Sequence, residues 1–282
     1  LAMELVNGKL PVKDLSARDL AGAQAEMKLV ADKLSTNPAF STAFGLRASD
    51  ARRLIKFMSG ADAPPAAGAA GALSLTGTAT GTRDELKIDT AMQGLGGQAK
   101  IAGSLAQLTQ PAPKVDLGID ASFPEFSPVL AAFAGAAAKH GQQKLGPMSL
   151  KSRLANTGPD SIALRQTELR AFGGVMTVDG TVGRLLTPEP SVDLAMAMNL
   201  PSLRPLLTAF NPDPQLMATA DQFGALTFAG KAVGSAKKMT LRDAAMNGLG
   251  GSVKLNGDIL DAGKRFDLSA DIQNFNIGPL MA

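Results

Sequence analysis

The 282-residue chain contains no cysteine, no tryptophan and no tyrosine, and its single histidine is His140. Without cysteine there can be no disulfides, no thiol catalysis and no cysteine-based metal site. A single histidine argues against a histidine metal site or a catalytic triad, and His140 ends a predicted helix, where a cation suits the helix dipole. Because no acid, base and nucleophile cluster in the sequence, we expect no enzymatic activity, no metal and no cofactor.

Charge is also scarce, since Asp, Glu, Lys and Arg make up 19% of the chain and leave a net charge of +3. The small basic surplus forms no block, and the phenylalanines are scattered, so the signs of a nucleic-acid-binding protein are missing. The longest apolar run, 129–138, is about half the ~20 residues of a membrane-spanning helix. The chain starts and stops within repeated elements, and we expect it to be a fragment whose anchor or targeting segment lies outside it.

The chain does contain a glycine-rich segment that recurs. MQGLGGQAKIAGSL at 92–105 returns as MNGLGGSVKLNGDI at 246–259 and, more loosely, as LRAFGGVMTVDGTV at 169–182. The paired glycines at 96–97, 173–174 and 250–251 are 77 residues apart. The same step separates Pro128 from Pro205, and a step of 74 leads to Pro279. A regular period of this length predicts a structural repeat.

We predict a degenerate repeat at 1–62, full repeats at 63–140 and 141–216, and a repeat at 217–282 that is truncated at its helix, all in one elongated β domain. Each repeat has four segments in which apolar and polar residues alternate, as in β-strands with one wet face. The predicted strands are 72–80, 85–91, 98–105 and 114–121; 148–156, 161–168, 175–182 and 191–198; and 225–233, 238–245, 252–259 and 265–272. In the first 60 residues, 14–29 is assigned to two strands and 48–58 to a helix.

A short helix is expected after each fourth strand, with Ser127 before Pro128 and Ser202 before Pro205 as start signals. The predicted fold is therefore mainly β. Repeats of about 77 residues, each with four antiparallel strands and a short helix, would form a long curled sheet. Its apolar side would line a trough, partly covered by the helices.

The glycines have structural interpretations. The paired glycines lie between two strands, whereas phosphate-binding and dinucleotide-binding loops open a helix, so we interpret them as positive-φ residues of a hairpin or bulge. The mid-strand Gly103, Gly180 and Gly257 would either bend the sheet or leave room for a ligand. Asp116, Asp193 and Asp267 recur on the wet face of the fourth strand, which favours solvation or cross-strand pairing over catalysis.

The apolar strand faces are the candidate functional site. They form either a core sealed by the helices or an incompletely covered face that solvates acyl chains, since a large uncovered apolar patch normally marks a binding surface. Met176, Met196, Met198 and Met239 would adapt to varied chains. The candidate lipid-binding residues are Leu73, Leu75, Leu86, Ile88, Ile101, Leu105, Leu117, Ile119, Val178, Val182, Leu194, Met196, Leu226, Phe228, Leu255, Ile259 and Leu268.

The segments GALSLTGTATGT (71–82), LKIDTAMQGLGGQAKIAGSL (86–105) and FPEFSPVLAAF (123–133) resemble the repeated unit of the AsmA family of Gram-negative bacteria, which includes TamB-like and bridge-like lipid transfer proteins. The resemblance covers residues 71–282 and, more weakly, the segment before them. It implies a periplasmic β-groove, an inner-membrane anchor outside this segment, and a role in lipid transport or outer-membrane homeostasis and assembly.

Two functions remain open from the sequence. The first is a non-enzymatic segment that binds or transfers phospholipids through their acyl chains. The second is a structural scaffold with a closed core that engages other envelope proteins through sheet edges or helices. Co-purifying phospholipid would favour the first, and a dry, closed core would favour the second.

Overall fold

The computed structural model of the protein describes residues 9–20, 23–32, 38–50, 71–110, 112–127, 129, 144–185, 187, 189–210, 217, 224–235, 237–248, 250–261 and 264–274. The chain divides into two compact units, Leu1–Gln142 and Gln143–Ala282. Both are built almost entirely from antiparallel strands, with very little helix among the described residues. The prediction of a mainly β protein is therefore confirmed.

In each unit the strands lie side by side in sequence order, so every ladder joins strands that are consecutive in the chain. The first unit contains β1 (Lys9–Leu20), β2 (Ala23–Asp32), β3 (Ala39–Ala48), β4 (Leu73–Thr82), β5 (Glu85–Gly94), β6 (Gly97–Ala106) and β7 (Lys114–Phe123). The second contains β8 (Met148–Gly158), β9 (Ser161–Ala171), β10 (Gly174–Gly183), β11 (Ser191–Leu200), helix α1 (Arg204–Phe210), β12 (Leu226–Ser235), β13 (Lys238–Gly248), β14 (Gly251–Leu260) and β15 (Arg265–Gln273). Short turns between most strands account for this order, since antiparallel neighbours need only a tight connection.

All twelve segments predicted as strands between 72 and 272 are strands. The prediction for the first 60 residues was less accurate. The segment 14–29 covers only parts of β1 and β2, and β3 was missed although Phe40, Phe44 and Leu46 alternate there with polar or small residues. Of the segment 48–58, predicted as a helix with Ser49 or Asp50 as its cap, only Ala48, the last residue of β3, and the two cap candidates are described. Residues 51–58 lie outside the described part of the chain.

Helix α1 follows β11, as predicted. The backbone N–H of Arg204 donates to Ser202 Oγ at 3.3 Å, so Ser202 caps the helix. Pro205 is the second residue of α1 rather than the first, still within the first turn, where a missing N–H costs little. At the helix predicted after β7, the Ser127 N–H and hydroxyl donate to Glu125 Oε1 at 3.0 and 2.5 Å. Pro128 and 130–140 lie outside the described residues.

The paired-glycine segments form two-residue hairpin turns. Between β5 and β6 the turn residues Leu95 and Gly96 have φ of 56° and 75°, and between β9 and β10 Phe172 and Gly173 have φ of 54° and 73°. Positive φ at both central positions is the type I′ geometry, whose twist matches that of the flanking strands. The hairpin interpretation of the motif is therefore confirmed at both turns.

The second glycine of the first two pairs makes room for a large side chain. A Cβ on Gly97 would lie 2.3 Å from Phe123 Cδ1, and a Cβ on Gly174 would lie 2.4 Å from Leu200 Cδ2. Phe123 and Leu200, the last residues of β7 and β11, are almost completely buried. Gly97 thus lets the end of β7 close over the start of β6, and Gly174 lets the end of β11 close over the start of β10.

The mid-strand glycines permit close approach of a neighbouring strand. Gly180 and Gly257 have φ of 144° and 135°, and a Cβ there would lie 2.0 and 2.1 Å from the carbonyl oxygens of Asp193 and Asp267. The corresponding distance from Gly103 to the Asp116 oxygen is 2.0 Å. Backbone of the neighbouring strand occupies the space that a Cβ would need at all three positions, which explains why each of them is glycine.

β9 and β13 each carry a bulge that was not predicted from the sequence. In β9 the register shifts opposite Val178 and Gly180, where Gln166 has φ of 51°. In β13 it shifts between Leu241 and Ala244, where Asp243 has φ of 50°. At each bulge the backbone N–H bonds to a side chain. The Gln166 N–H donates to Asp179 Oδ1, and the Asp243 N–H donates to Asn256 Oδ1, both at 2.8 Å.

Candidate functional site

Residues that lie directly opposite each other in an antiparallel ladder point to the same face of the sheet. In each unit we call one face of the sheet the apolar face, which is the face that contains Ile101 in the first unit and Val178 in the second. In the first unit its rows run from β2 to β7 as Ala25, Leu46, Leu75, Met92, Ala99 and Ala121; Met27, Phe44, Gly77, Thr90, Ile101 and Ile119; Leu29, Thr42, Ala79, Ile88, Gly103 and Leu117; and Ala31, Phe40, Gly81, Leu86, Leu105 and Val115.

The second unit has the same arrangement from β8 to β15. Three of its rows are Leu150, Leu169, Met176, Met198, Phe228, Met246, Val253 and Ile272; Leu154, Leu164, Gly180, Leu194, Ala232, Leu241, Gly257 and Leu268; and Asn156, Ile162, Val182, Val192, Gly234, Met239, Ile259 and Phe266. The bulges at Gln166 and Asp243 each add one residue to a strand, and the apolar side chains on either side of them stay on one face.

The apolar face continues across the boundaries of the predicted repeats inside each unit. β11, predicted as the last strand of 141–216, pairs with β12 over all ten residues, from Ser191 opposite Ser235 to Leu200 opposite Leu226. β3 pairs with β4 in the same way, from Ala39 opposite Thr82 to Ala48 opposite Leu73. At both junctions the residues of this face meet without a register shift, and all of them are apolar residues or glycines except Thr42, which lies opposite Ala79.

All 17 candidate residues lie on the apolar face, and none belongs to the buried core. Fifteen are half-buried, while Ile101 and Leu268 are 39% and 37% exposed. The buried residues among those described are mostly alanines, and no large side chain there is fully buried. The rows thus place large apolar side chains next to each other without sealing them from solvent.

Part of this face was not predicted from the sequence. Phe44 and Leu46 in β3 and Met27 in β2 extend the rows into the first segment, where no glycine pair marks a repeat. Phe266 and Ile272 in β15 were also left out, although they are 63% and 60% exposed. The alternation of apolar and polar residues in these strands was the available signal.

The opposite face is polar. Lys100 Nζ lies 3.3 Å from Asp89 Oδ2, and Lys238 Nζ lies 2.7 Å from Asp258 Oδ2. The hydrogen bond from Lys238, followed by the one from Thr240, holds the pKa of Asp258 below its ordinary value, and partial desolvation opposes them only in part. Asp116, Asp193 and Asp267 are on this face, opposite Ser104, Thr181 and Asp258.

The described residues contain no group of three or more His, Asp or Glu side chains placed to hold a metal ion. His140 lies outside them. Within the same described ranges, no helix is both long and apolar enough to cross a bilayer.

Comparison of the chain with protein-family models, with curated proteins and with solved structures gave no match.

Proposed function

We propose that this chain is a non-enzymatic lipid-binding segment whose apolar face holds the acyl chains of phospholipids while their headgroups stay in water. The observation that carries the proposal is the continuity of half-exposed apolar rows across strands and across the β3–β4 and β11–β12 junctions. An extended apolar strip suits an acyl chain, because every methylene removed from water contributes ~0.8 kcal/mol.

The mechanism is passive. Neighbouring rows present similar side chains at the 4.7–4.9 Å spacing typical of strands, so a chain can shift from one row to the next with little change in buried area. Methionines at Met176, Met196 and Met198 lie close together on β10 and β11. Their flexible thioethers can follow a kinked or branched chain, which suits a face that binds varied lipids.

We further propose that the chain repeats a four-strand unit with a short helix, and that the sheet curls around the bound chains. The recurrence of strands β6, β10 and β14 from Gly97, Gly174 and Gly251 supports the repeat. As the resemblance to the AsmA family suggests, the setting would be the periplasm, with an inner-membrane anchor in another part of the protein and a role in outer-membrane lipid homeostasis.

The test compares two lysine substitutions one residue apart in β11. Met196 is half-buried on the apolar face, whereas Ala197 is exposed on the polar face. Met196→Lys places a charge among the acyl chains, where it is strongly disfavoured, and Ala197→Lys does not. Native mass spectrometry of detergent-free protein should show bound phospholipid in the parent chain and in Ala197→Lys, and at least severalfold less in Met196→Lys.

Ile101→Lys is a second variant. It should remove few packing contacts, because Ile101 is already 39% exposed. It should also lose lipid while its circular dichroism stays unchanged. If the parent chain carries no phospholipid, or if all three variants carry the same amount, the lipid-binding proposal is wrong. The scaffold function, which requires a closed and dry core, would then be favoured.

A further inference from the structure

The second unit gathers methionines on its apolar face. Met176 of β10 lies directly opposite Met198 of β11, and Met196 lies two residues from Met198 on the same face. Met198 also lies opposite Phe228 of β12, and Phe228 lies opposite Met246 of β13. We call the four methionines, at positions 176, 196, 198 and 246, the methionine cluster. They occupy three strands and flank one aromatic side chain on both sides.

The ring of Phe228 lies among these methionines. A Cβ on Gly230 would lie 3.3 Å from Phe228 Cζ, so the ring extends along β12 toward Gly230. Met198 lies opposite Phe228 and Met196 lies opposite Gly230, so both ends of the ring have a methionine beside them on β11. Thioether sulfurs pack favourably against aromatic rings. The cluster and the ring therefore form one continuous apolar patch.

The facing pair of methionines distinguishes the second unit from the first. At the positions 77 residues before Met176 and Met198, the first unit has Ala99 and Ala121, which also lie directly opposite each other. All four side chains of the methionine cluster are half-buried rather than sealed in a core. A small oxidant dissolved in water can therefore reach their sulfur atoms.

The composition of the chain makes methionine its main target for oxidation. The sequence contains 12 methionines but no cysteine, tryptophan or tyrosine. No thiol, indole or phenol group therefore competes with the thioethers for an oxidant. Oxidation converts methionine into methionine sulfoxide, which is polar, and methionine sulfoxide reductases reverse the reaction.

We propose that the methionine cluster is a site of reversible oxidation by peroxide that lowers lipid binding by the second unit. The sulfur lone pair attacks one oxygen of hydrogen peroxide, an S–O bond forms as the O–O bond breaks, and the other oxygen leaves as water. Each thioether loses two electrons and the peroxide gains them. In the reverse reaction two thiols supply two electrons and become a disulfide, and the sulfoxide oxygen leaves as water.

The effect on lipid follows from the polarity of the sulfoxide. Its oxygen needs a hydrogen-bond donor, and an acyl chain provides none, so covering it with lipid is unfavourable. Because the four methionines lie together, their oxidation replaces one continuous apolar patch with several polar groups. The inference rests on the proposed lipid binding and adds to it a chemical modification that regulates it.

The test measures phospholipid binding before and after oxidation. The intact chain is treated with hydrogen peroxide, freed of it, and incubated with vesicles of dimyristoyl phosphatidylglycerol, whose saturated chains peroxide does not attack. Native mass spectrometry should show a drop in bound lipid of about twofold or more, because the second unit loses its share. Peptide mapping should find sulfoxide at the methionine cluster, circular dichroism should stay unchanged, and methionine sulfoxide reductases with dithiothreitol should restore binding.

Two variants assign the effect to the cluster. One replaces all four cluster methionines with leucine, which keeps a similar volume, and retains the other eight of the 12 methionines (12 − 4). The other combines Met27→Leu with Met92→Leu on the apolar face of the first unit. Each variant is compared only with itself, before and after peroxide. The cluster variant should bind the same amount of lipid after treatment, and the Met27/Met92 variant should lose lipid as the parent chain does.

Three results would overturn the inference. Sulfoxide at the cluster without loss of lipid would show that the modification has no effect. An equal drop in the parent chain and the cluster variant would assign the loss to other methionines. A cluster that stays reduced while Met27, which is 36% exposed, is oxidised would show that peroxide does not reach it. All three leave the proposed lipid binding intact, whereas an untreated parent chain that binds no phospholipid would overturn both proposals.

Discussion

At the scale of single residues, the polar face is organised by compensating charges. Asp258 lies directly opposite Asp267 in the β14–β15 ladder, an arrangement that is unfavourable when both carboxylates are ionised. Lys238 and Thr240 offset the repulsion, since both contact the Asp258 carboxylate at 2.7 Å. Asp267, one of the recurring aspartates, thus faces a carboxylate whose charge is compensated by neighbours on β13, which agrees with a structural role.

This geometry predicts a specific pH dependence. The pKa of Asp258 is lowered in the folded chain, so its ionised form stabilises the fold at pH values above its ordinary pKa, and this stabilisation is lost as the pH falls through the folded value. Replacing Lys238→Met should raise the Asp258 pKa toward the ordinary value of 3.8 and reduce the acid sensitivity of β13–β15. Carboxyl NMR titration measures both effects. Lys237→Met is the matched control, because Lys237 pairs with Glu189 instead; equal Asp258 titration in the two variants would contradict the assignment.

At the scale of elements, β5 differs from its counterparts β9 and β13 by lacking a bulge. β5 pairs with β6 without a register shift, and the residue before the mid-strand glycine of β6 is Ala102. The same position holds Asp179 in β10 and Asn256 in β14, and each accepts a hydrogen bond from the bulged N–H. An acceptor at this position therefore accompanies the bulge.

Asp179→Ala should leave the Gln166 N–H to solvent and destabilise the chain by about 1 kcal/mol, the usual contribution of such a hydrogen bond. Amide exchange at Gln166 should accelerate by a corresponding factor of about five to ten. Asp179→Asn keeps an acceptor, as Asn256 does naturally, and should behave like the parent chain. Urea denaturation and exchange NMR provide the measurements, and a destabilised Asp179→Asn variant would show that charge, not hydrogen bonding, matters at this site.

The alternation of apolar and polar residues was enough to predict these strands, but not the bulges in β9 and β13. A period of two fixes which residues share a face, and Leu95-Gly96 and Phe172-Gly173 could be recognised as turns because glycine tolerates positive φ. The bulge at Gln166 depends on a hydrogen bond to Asp179, 13 residues away, and no local pattern shows such a partner. The contact of Asp193 with Gly180 was hidden for the same reason, since it requires the neighbouring strand.

At the scale of the whole molecule, the sequence predicts which residues share the apolar face, but it does not predict how far that face is exposed to solvent. The sequence places Leu194 and Leu268 on one side of the second unit, yet the same pattern fits a sealed core. Only the positions of the neighbouring strands show that these residues are incompletely covered.

The side-by-side arrangement of the strands predicts that a destabilising substitution affects only the strands close to it. Each strand packs mainly against its neighbours in sequence, and no large, fully buried side chain among those described links distant strands. Stability should therefore be a sum of nearest-neighbour terms, as in repeat proteins. A Cβ at Gly257 would lie 2.1 Å from the Asp267 carbonyl oxygen, so Gly257→Ala must separate β14 from β15.

Hydrogen–deuterium exchange should therefore accelerate in β13–β15 of the Gly257→Ala variant and remain nearly unchanged in β8–β10 of the same unit. Ser252→Ala, in the same strand and on its polar face, is the control and should leave the exchange pattern unaltered. A uniform acceleration over β8–β15 would mean that the unit unfolds as one cooperative body. The rows of the apolar face would then be coupled by more than pairwise contact, and shifting a bound chain from row to row would disturb the whole sheet.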